Sequence, residues 1–517
     1  MFWSLMVDEA TDVSTVEQVS ICVRYIKVQD ANLEVCEEFL GFTSVTATNA
    51  QTITSAIVTF MTDCGLDTKR FVGKGFDGAA NMCGHVSGVS ERLRQIYPQA
   101  KYFTHCRNHA LNLVIVASCN EVPDIRNFMN VFKELTLFFS YSAKRKHILK
   151  MCLKDGKDSD LLADTLEEDE QCTIPDRHYR GLPVLSNTRW LTRVDSIDCL
   201  LRNFMSICKA VEEVRNLSSG QSASDAESFL KRLLSFEFIA SAVISHHVLA
   251  YTRPLTVALQ AKNCDLLKAH FMARRLVKVL QTERTETKFQ ILWGRIADIS
   301  KDLEIEPAKR RTVTVQRNRA NPSVDTGGDG IAAHYRIAYY NAFLDHAISH
   351  LNSRFSEDLH GALLGSYLIP GRIKDLTNEK VQLIRKEFLD VLPLPSEFEN
   401  EINTWRVHVS ETDHVDVSLR DELRLAATLS EQHHQYYPNI RAILMLLISL
   451  PVGSCSCERS FSSLRRLKSW CRNSMSDKRL DNLPVGFINQ ERTPSPDLVL
   501  KIWDRSRHRR IALAFKE

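Results

Sequence analysis

At 517 residues the chain can bury more than one hydrophobic core, and ordinary domain lengths predict roughly two to four structural units. Its 66 Lys and Arg against 63 Asp and Glu exclude a protein that coats nucleic acid with a uniformly cationic surface, so any polyanion site must come from local clusters. Fourteen cysteines without paired CxxC spacing, and no secretory leader pattern, exclude a disulfide scaffold and predict free thiols in cytosol or nucleus.

The opening run Phe2-Trp3-Ser4-Leu5-Met6-Val7 is apolar on consecutive residues and too short for a helix, which predicts a strand buried on both faces in mid-sheet. It ends in carboxylates, Asp8, Glu9 and Asp12. A carboxylate at the lip of such a strand sits beside a low-dielectric core, where an unpaired charge is costly. Asp8 is therefore a candidate metal ligand, the alternative being a solvated acidic loop. Val19 to Ile26 alternates and predicts a half-buried strand, and Val35 to Val45 predicts a third. Between Thr48 and Cys64, the residues Ile53, Ala56, Ile57, Phe60 and Met61 recur at helical spacing, with Asn49 placed to cap the helix and Gly65 to end it.

Arg70 to Met82 then predicts a short strand that breaks on glycines at a second acid, Asp77; glycines there let a neighbouring strand or ligand approach closely. Tyr102 onward predicts a strand running into a helix, with Cys106 and His109 at the junction. A lone CxxH lacks the four ligands of structural zinc, so a local hydrogen-bonding role is expected for His109. Helical pattern continues to Leu149. Residues 155–170 hold eight acidic residues and no aromatic, a solvated linker. Helical spacing returns in Leu230 to Ala250 and Leu266 to Leu280.

Residues 309–321 carry five Lys or Arg and no acid, including Arg310, Arg311 and Arg317. Either an exposed loop or a phosphate-contacting or nuclear-import patch fits them. Tyr339, Phe343, Ile348 and Leu351 predict a further core-facing stripe, and the prolines and charges from Val391 to Asp421 predict connecting structure. The run Ala442 to Leu450, stopped by Pro451, is too short to cross a bilayer, and no membrane partner is expected. Tyr437-Pro438-Asn439 caps a helix carrying Ile440, Ile443, Leu444, Leu447 and Ile448. A second helix starts near Ser454, with Cys457, Phe461, Leu464, Leu467 and Cys471 on one stripe and Arg465, Lys468 and Arg472 beside it, a basic border that suits contact with a polyanion. Glu458 lies in its first turn, where the helix dipole favours an anion.

The phrases SLMVDEATD, EQVSICVRYI, GKGFDGAANMCG, THCRNHALNLV, SNTRW, YPNI and SCERSFSSLRRLK occur in this order across nearly the whole chain. Together they resemble the hAT superfamily of DNA transposases, in particular its domesticated vertebrate-type members. The resemblance implies an α/β fold, an RNase H-like mixed sheet interrupted by a large all-α insertion, with a C-terminal helical dimerisation region. The expected division is 1–150 for the first part of the core, 151–182 for the acidic linker, 183–430 for the helical insertion and 431–517 for the end of the core with the dimerisation region.

By the same resemblance Asp8, Asp77 and Glu458 are the three catalytic acids and ligands of Mg2+ or Mn2+, and Cys106 and His109 support the active site. Arg189 and Trp190 match a pair whose ring stacks on an unpaired base at a transposon end, a contact that tolerates any base. The resemblance also implies DNA as a partner, a second copy of the chain in a homodimer or higher homo-oligomer, and a nuclear location. The apolar residues Ile440, Leu444, Leu447, Phe461 and Leu464 are the expected self-association surface. With 69 positions between Asp8 and Asp77 and 381 between Asp77 and Glu458, only a fold with a long insertion can gather the acids. Three carboxylates suit two hard divalent ions at a phosphodiester.

The chain departs from the family pattern in three places. Cys455 and Cys457 stand where small residues are usual. Pro484 and Gly486 fall where the family keeps helix formers, which predicts a broken last helix. The sequence opens at the first catalytic strand, without the zinc-binding recognition domain expected ahead of it. Three expectations remain open: a domesticated nuclear protein that has lost this domain but retains the DDE-type core, an active Mg2+-dependent transposase core, and a non-catalytic dimerising regulator of transcription or chromatin.

Overall fold

The computed structural model describes residues 2–29, 32–84, 86–155, 182–183, 191–308, 330–356, 360–411, 422–469, 477–490 and 494–505. Two compact units divide it. The first joins the two ends of the chain, Met1–Cys106 and His360–Glu517, and the second is Arg107–Leu359. The units thus part at 106 and 359, whereas the sequence suggests 150 and 430. Helical periodicity in 107–149 says that a helix buries one face, not which neighbour buries it.

The first unit is built on a five-stranded mixed sheet. Strands β1 (Trp3–Thr11), β2 (Glu17–Gln29) and β3 (Asn32–Val45) form an antiparallel meander, and β4 (Phe71–Phe76) and β5 (Tyr102–His105) add in parallel on the far side of β1. The order β3-β2-β1-β4-β5 puts β1 at the centre, as its unbroken apolar run requires. On one face, Leu5, Val7, Val19 and Ile21 pack against Ile53, Ile57 and Met61 of helix α1 (Ala50–Asp63). Asn49 caps that helix by accepting from the Thr52 amide at 2.9 Å, and Gly65 follows its end at φ 65°.

The other face is covered by the last third of the chain. There α2 (Phe398–Glu411) packs against α3 (Pro438–Ser449), while α3, α4 (Cys455–Leu467) and α5 (Asp477–Ile488) lie on the strands. Met6, Cys22, Phe39 and Phe42 meet Cys457, Phe461 and Leu464 of α4. Strand β2 is therefore buried on both faces from Gln18 to Arg24, not on one as its alternation predicts. Its polar positions are matched individually: the Ser20 and Ser460 hydroxyls lie 2.8 Å apart, and Arg24 donates from Nε to the Ile448 carbonyl at 3.0 Å.

Two further expectations are corrected. The stretch expected to be connecting structure holds α2, whose Trp405 is fully buried and donates its indole N–H to the Leu368 carbonyl at 2.9 Å. Glu401 of α2 accepts from the backbone amides of Asn439 and Ile440 and from the Asn439 side chain, so α3 is capped by a carboxylate from another helix. Pro484 does not break α5, which runs through it. A proline in a helix interior costs about 3 kcal/mol. Packing offsets this: Pro484 is buried, Val485 and Ile488 join the Phe39 and Phe42 cluster, and Asn489 donates to the Phe39 carbonyl at 3.3 Å.

In the second unit every regular element among the described residues is helical. Phe128 of Pro123–Ser140 meets Phe238 of Phe236–Ala250 edge-on at 5.0 Å, and Glu283 of Leu266–Glu283 pairs with His247 at 3.0 Å. Among the described residues no single helix is long and apolar enough to cross a membrane.

Candidate active site

Strand parity aims the first acid. Trp3, Leu5 and Val7 face α1 while Met6 faces α4, so Asp8, two residues beyond Met6, projects toward α4. Glu9 goes the other way and accepts from the Asn81 side chain at 3.1 Å. Register supplies the second acid. Met6 pairs with Gly75 in the parallel β1–β4 ladder, and two residues on along each chain stand Asp8 and Asp77. The β4–β5 ladder ends at Phe76 opposite His105, and the Cys106 amide donates to the Phe76 carbonyl at 2.8 Å. Three parallel strands thus deliver Asp8, Asp77 and Cys106 side by side at their C-terminal ends.

The glycines of β4 let α4 reach this edge. A Cβ at Gly73 would lie 2.6 Å from Leu450 and 2.7 Å from the Ser4 hydroxyl, and one at Gly75 would lie 2.7 Å from Pro451. The close approach anticipated at these glycines is therefore made by the turn between α3 and α4. That turn sets the first turn of α4 over the strand ends. Cys455 and Glu458, at i and i+3, share the helix face that looks at Cys106. The two thiol sulfurs and a Glu458 carboxylate oxygen all lie within 4.8 Å of one another. Cys106 Sγ accepts the Ser454 amide at 3.4 Å.

Electrostatics tie Asp8 to the same cluster. Burial pushes its carboxyl well above the usual aspartate range, and Glu458, Asp77 and the Cys106 thiol add to the rise against one hydrogen bond from the Glu9 amide. Glu458 and Asp77, distant in sequence, thus come close enough to oppose the ionisation of Asp8, a cost that a bound dication would remove. Hard carboxylate oxygens from Asp8, Asp77 and Glu458 fit Mg2+ or Mn2+ by donor chemistry.

His109 is half-buried in the first turn of Arg107–Glu121, at the start of the second unit. Arg189, Trp190, Arg310, Arg311, Arg317 and Arg472 lie outside the described residues. Arg465 is exposed in the last turn of α4.

Lys468 requires correction as a DNA contact. Its side chain is 5% exposed and its ammonium lies 2.5 Å from Asp12, itself 1% exposed, so it clamps the end of α4 to the loop after β1. Burial alone would raise the Asp12 carboxyl, but Lys468, the Ser14 and Val16 amides and Gln18 together hold it below its ordinary value. A carboxyl depressed in the folded state stabilises the fold at pH above its unfolded value, near 3.8, and that contribution disappears as pH falls through the folded value. Lys468→Met should thus lower stability at neutral pH by about 2 kcal/mol. The gap from wild type should close below that range in urea titrations, and a gap constant with pH would refute the clamp.

The expected self-association residues are also corrected. Ile440, Leu444, Leu447, Phe461 and Leu464 are between 0% and 8% exposed within one chain, Phe461 and Leu464 against the sheet and Leu447 beside Gly365. An apolar helix stripe does not reveal whether the same chain or another will cover it. Cys455, in sequence only a mild departure from the family pattern, belongs to the cluster. Its spacing of three from Glu458 in one first turn is the signal that could have placed it there.

Comparison with known proteins agrees with this architecture. A family model described as the ZMYM1/FAM200 RNase-like domain matches residues 1–88, and one for the hAT family C-terminal dimerisation region matches 406–491. By these matches the chain is similar to hAT-derived, transposase-like proteins, with one stretch resembling an RNase-like domain and another the hAT dimerisation region. Among particular relatives it is similar to the 52 kDa repressor of the inhibitor of the protein kinase from Homo sapiens, 24% identical over 96% of this chain, and to its Mus musculus counterpart at the same identity and coverage. The chain spans 63% of the length of these relatives.

Proposed function

We propose that this is a domesticated hAT-derived nuclear protein whose sheet edge retains a DDE-type site for divalent-metal DNA cleavage and strand transfer, acting as a homodimer or higher homo-oligomer. The observation that carries this reading is the convergence of Asp8, Asp77 and Glu458 at the ends of β1 and β4 and the start of α4. In it these three residues hold Mg2+ or Mn2+. When bound, such ions activate a water or 3′-hydroxyl and stabilise the leaving oxygen of a phosphodiester. The chain itself fixes the ligands on rigid elements, and the covered face of the sheet limits water around Asp8. Homo-oligomerisation rests on the match to the dimerisation region, through surface other than the interior stripe of α3 and α4.

A second reading, a non-catalytic dimerising regulator of transcription or chromatin, is favoured by the word repressor in the relatives' name and by the cysteines standing among the acids. Incubating the purified chain with DNA and Mg2+ or Mn2+, and scoring nicks and hairpins, separates the two. The catalytic reading expects metal-dependent cleavage with DNA binding that weakens steeply as salt rises. Absence of cleavage with either metal, in a chain that is folded and self-associates, leaves the regulator.

A further inference from the structure

We propose that Cys106, Cys455 and Glu458 form a binding site for one thiophilic divalent cation of the zinc type, overlapping the carboxylate set at its thiol side. The three ligand atoms come from two elements, lie within 4.8 Å of one another, and include two thiols, which hard Mg2+ does not favour and zinc does. Two thiolates and one carboxylate are three protein ligands. A zinc site of that count keeps its fourth position open, and Asp8, which feels the charge of both Cys106 and Glu458, stands next to it.

The surroundings suit such an ion. The Ser454 amide already donates to Cys106 Sγ at 3.4 Å, the outer-shell hydrogen bond that orients a metal-bound sulfur. Cys455 sits in the first turn of α4; its hydrogen bond with Cys106, burial and the charge of Glu458 push its thiol well above the usual range, a cost that bonding to a dication offsets. On binding, each thiol loses its proton to solvent as its sulfur bonds the metal, and Glu458 joins as the anion. Little movement is needed, because Cys106 directly follows β5 and because Cys455 and Glu458 open α4 just after a turn that Gly73 and Gly75 let press onto the sheet.

Zinc bound through Glu458 at the thiols draws that charge away from the hard-metal set and therefore weakens Mg2+ or Mn2+ there, a consequence that rests on the proposed function; the binding itself does not. Hence the primary test is spectroscopic and needs no DNA. Titrating the metal-free chain with Co2+ should produce a near-ultraviolet sulfur-to-cobalt charge-transfer band that saturates at one equivalent, is erased by Zn2+ and survives excess Mg2+. Cys106→Ser and Cys455→Ser should each lose the band while keeping the wild-type circular dichroism, and exposed Cys64→Ser should keep it. No band, or one that persists in both variants, overturns the site. If either variant misfolds, the wild-type chain still decides. Zn2+ should shield Cys106 and Cys455 from iodoacetamide during partial urea unfolding, read peptide by peptide, and equal labelling with and without Zn2+ refutes the proposal.

Discussion

Replacing Glu37 with alanine should cost about 3–5 kcal/mol of folding free energy, the range for leaving one partner of a buried ion pair uncompensated. Arg24 on β2 has a fully buried side chain, and its guanidinium lies 2.7 Å from Glu37 on β3. Glu37 also accepts from the Ser456 hydroxyl and from Arg459 at 3.4 Å, both near the start of α4. One carboxylate therefore joins two strands to the helix that carries Cys455 and Glu458. Urea denaturation should show a lower midpoint with unchanged slope. The pair Arg24→Met with Glu37→Leu should recover much of the loss, since apolar replacement of both partners removes the buried charge. A single variant as stable as wild type would mean that solvent reaches Arg24. The loss should also reach the site, because α4 would be less firmly seated over the strand ends.

That ion pair marks where the sequence stops being legible. Asp8 is legible because the apolar run of β1 locates a central strand, and the residues after such a strand must emerge at its lip. Asn49 is legible because capping is local. Arg24 and Glu37 are not: alternation along β2 presents Arg24 as a solvent-facing residue, and nothing nearby announces that α3 and α4, more than four hundred residues later, roof that face. Lys468 misleads for the same reason, since its partner Asp12 lies 456 positions away and its neighbours Arg465 and Arg466 are exposed. The stripe of α3 and α4 is apolar, as its spacing predicts, but it is interior rather than an outer surface. Pro484 shows the converse error, a local rule overridden by tertiary packing. Local chemistry and strand parity are written in short windows, whereas the identity of what covers a face is a long-range fact.

Asp8→Asn should abolish any metal-dependent cleavage while leaving the chain folded and its salt-sensitive DNA binding nearly intact. The amide keeps the shape of the side chain but removes the charge that burial, Glu458 and Asp77 all disfavour. Without metal the variant should therefore melt no lower than wild type, and higher if relief of that repulsion outweighs the Glu9 hydrogen bond. With Mn2+ the order should reverse. A ligand at one hundred times its dissociation constant stabilises the folded state by about 2.7 kcal/mol, and this gain should vanish with the ligand that Asp8 provides. Asp77→Asn should likewise lose cleavage and the Mn2+ gain, because the parallel register sets both acids at one edge. Two measurements check the account, a thermal melt with and without Mn2+ and a cleavage assay on the same preparations. If Mn2+ raises the variant's midpoint as much as that of wild type, the ion is held elsewhere, and if Asp8→Asn cuts DNA at the wild-type rate, the carboxylates at this sheet edge are not the catalytic set.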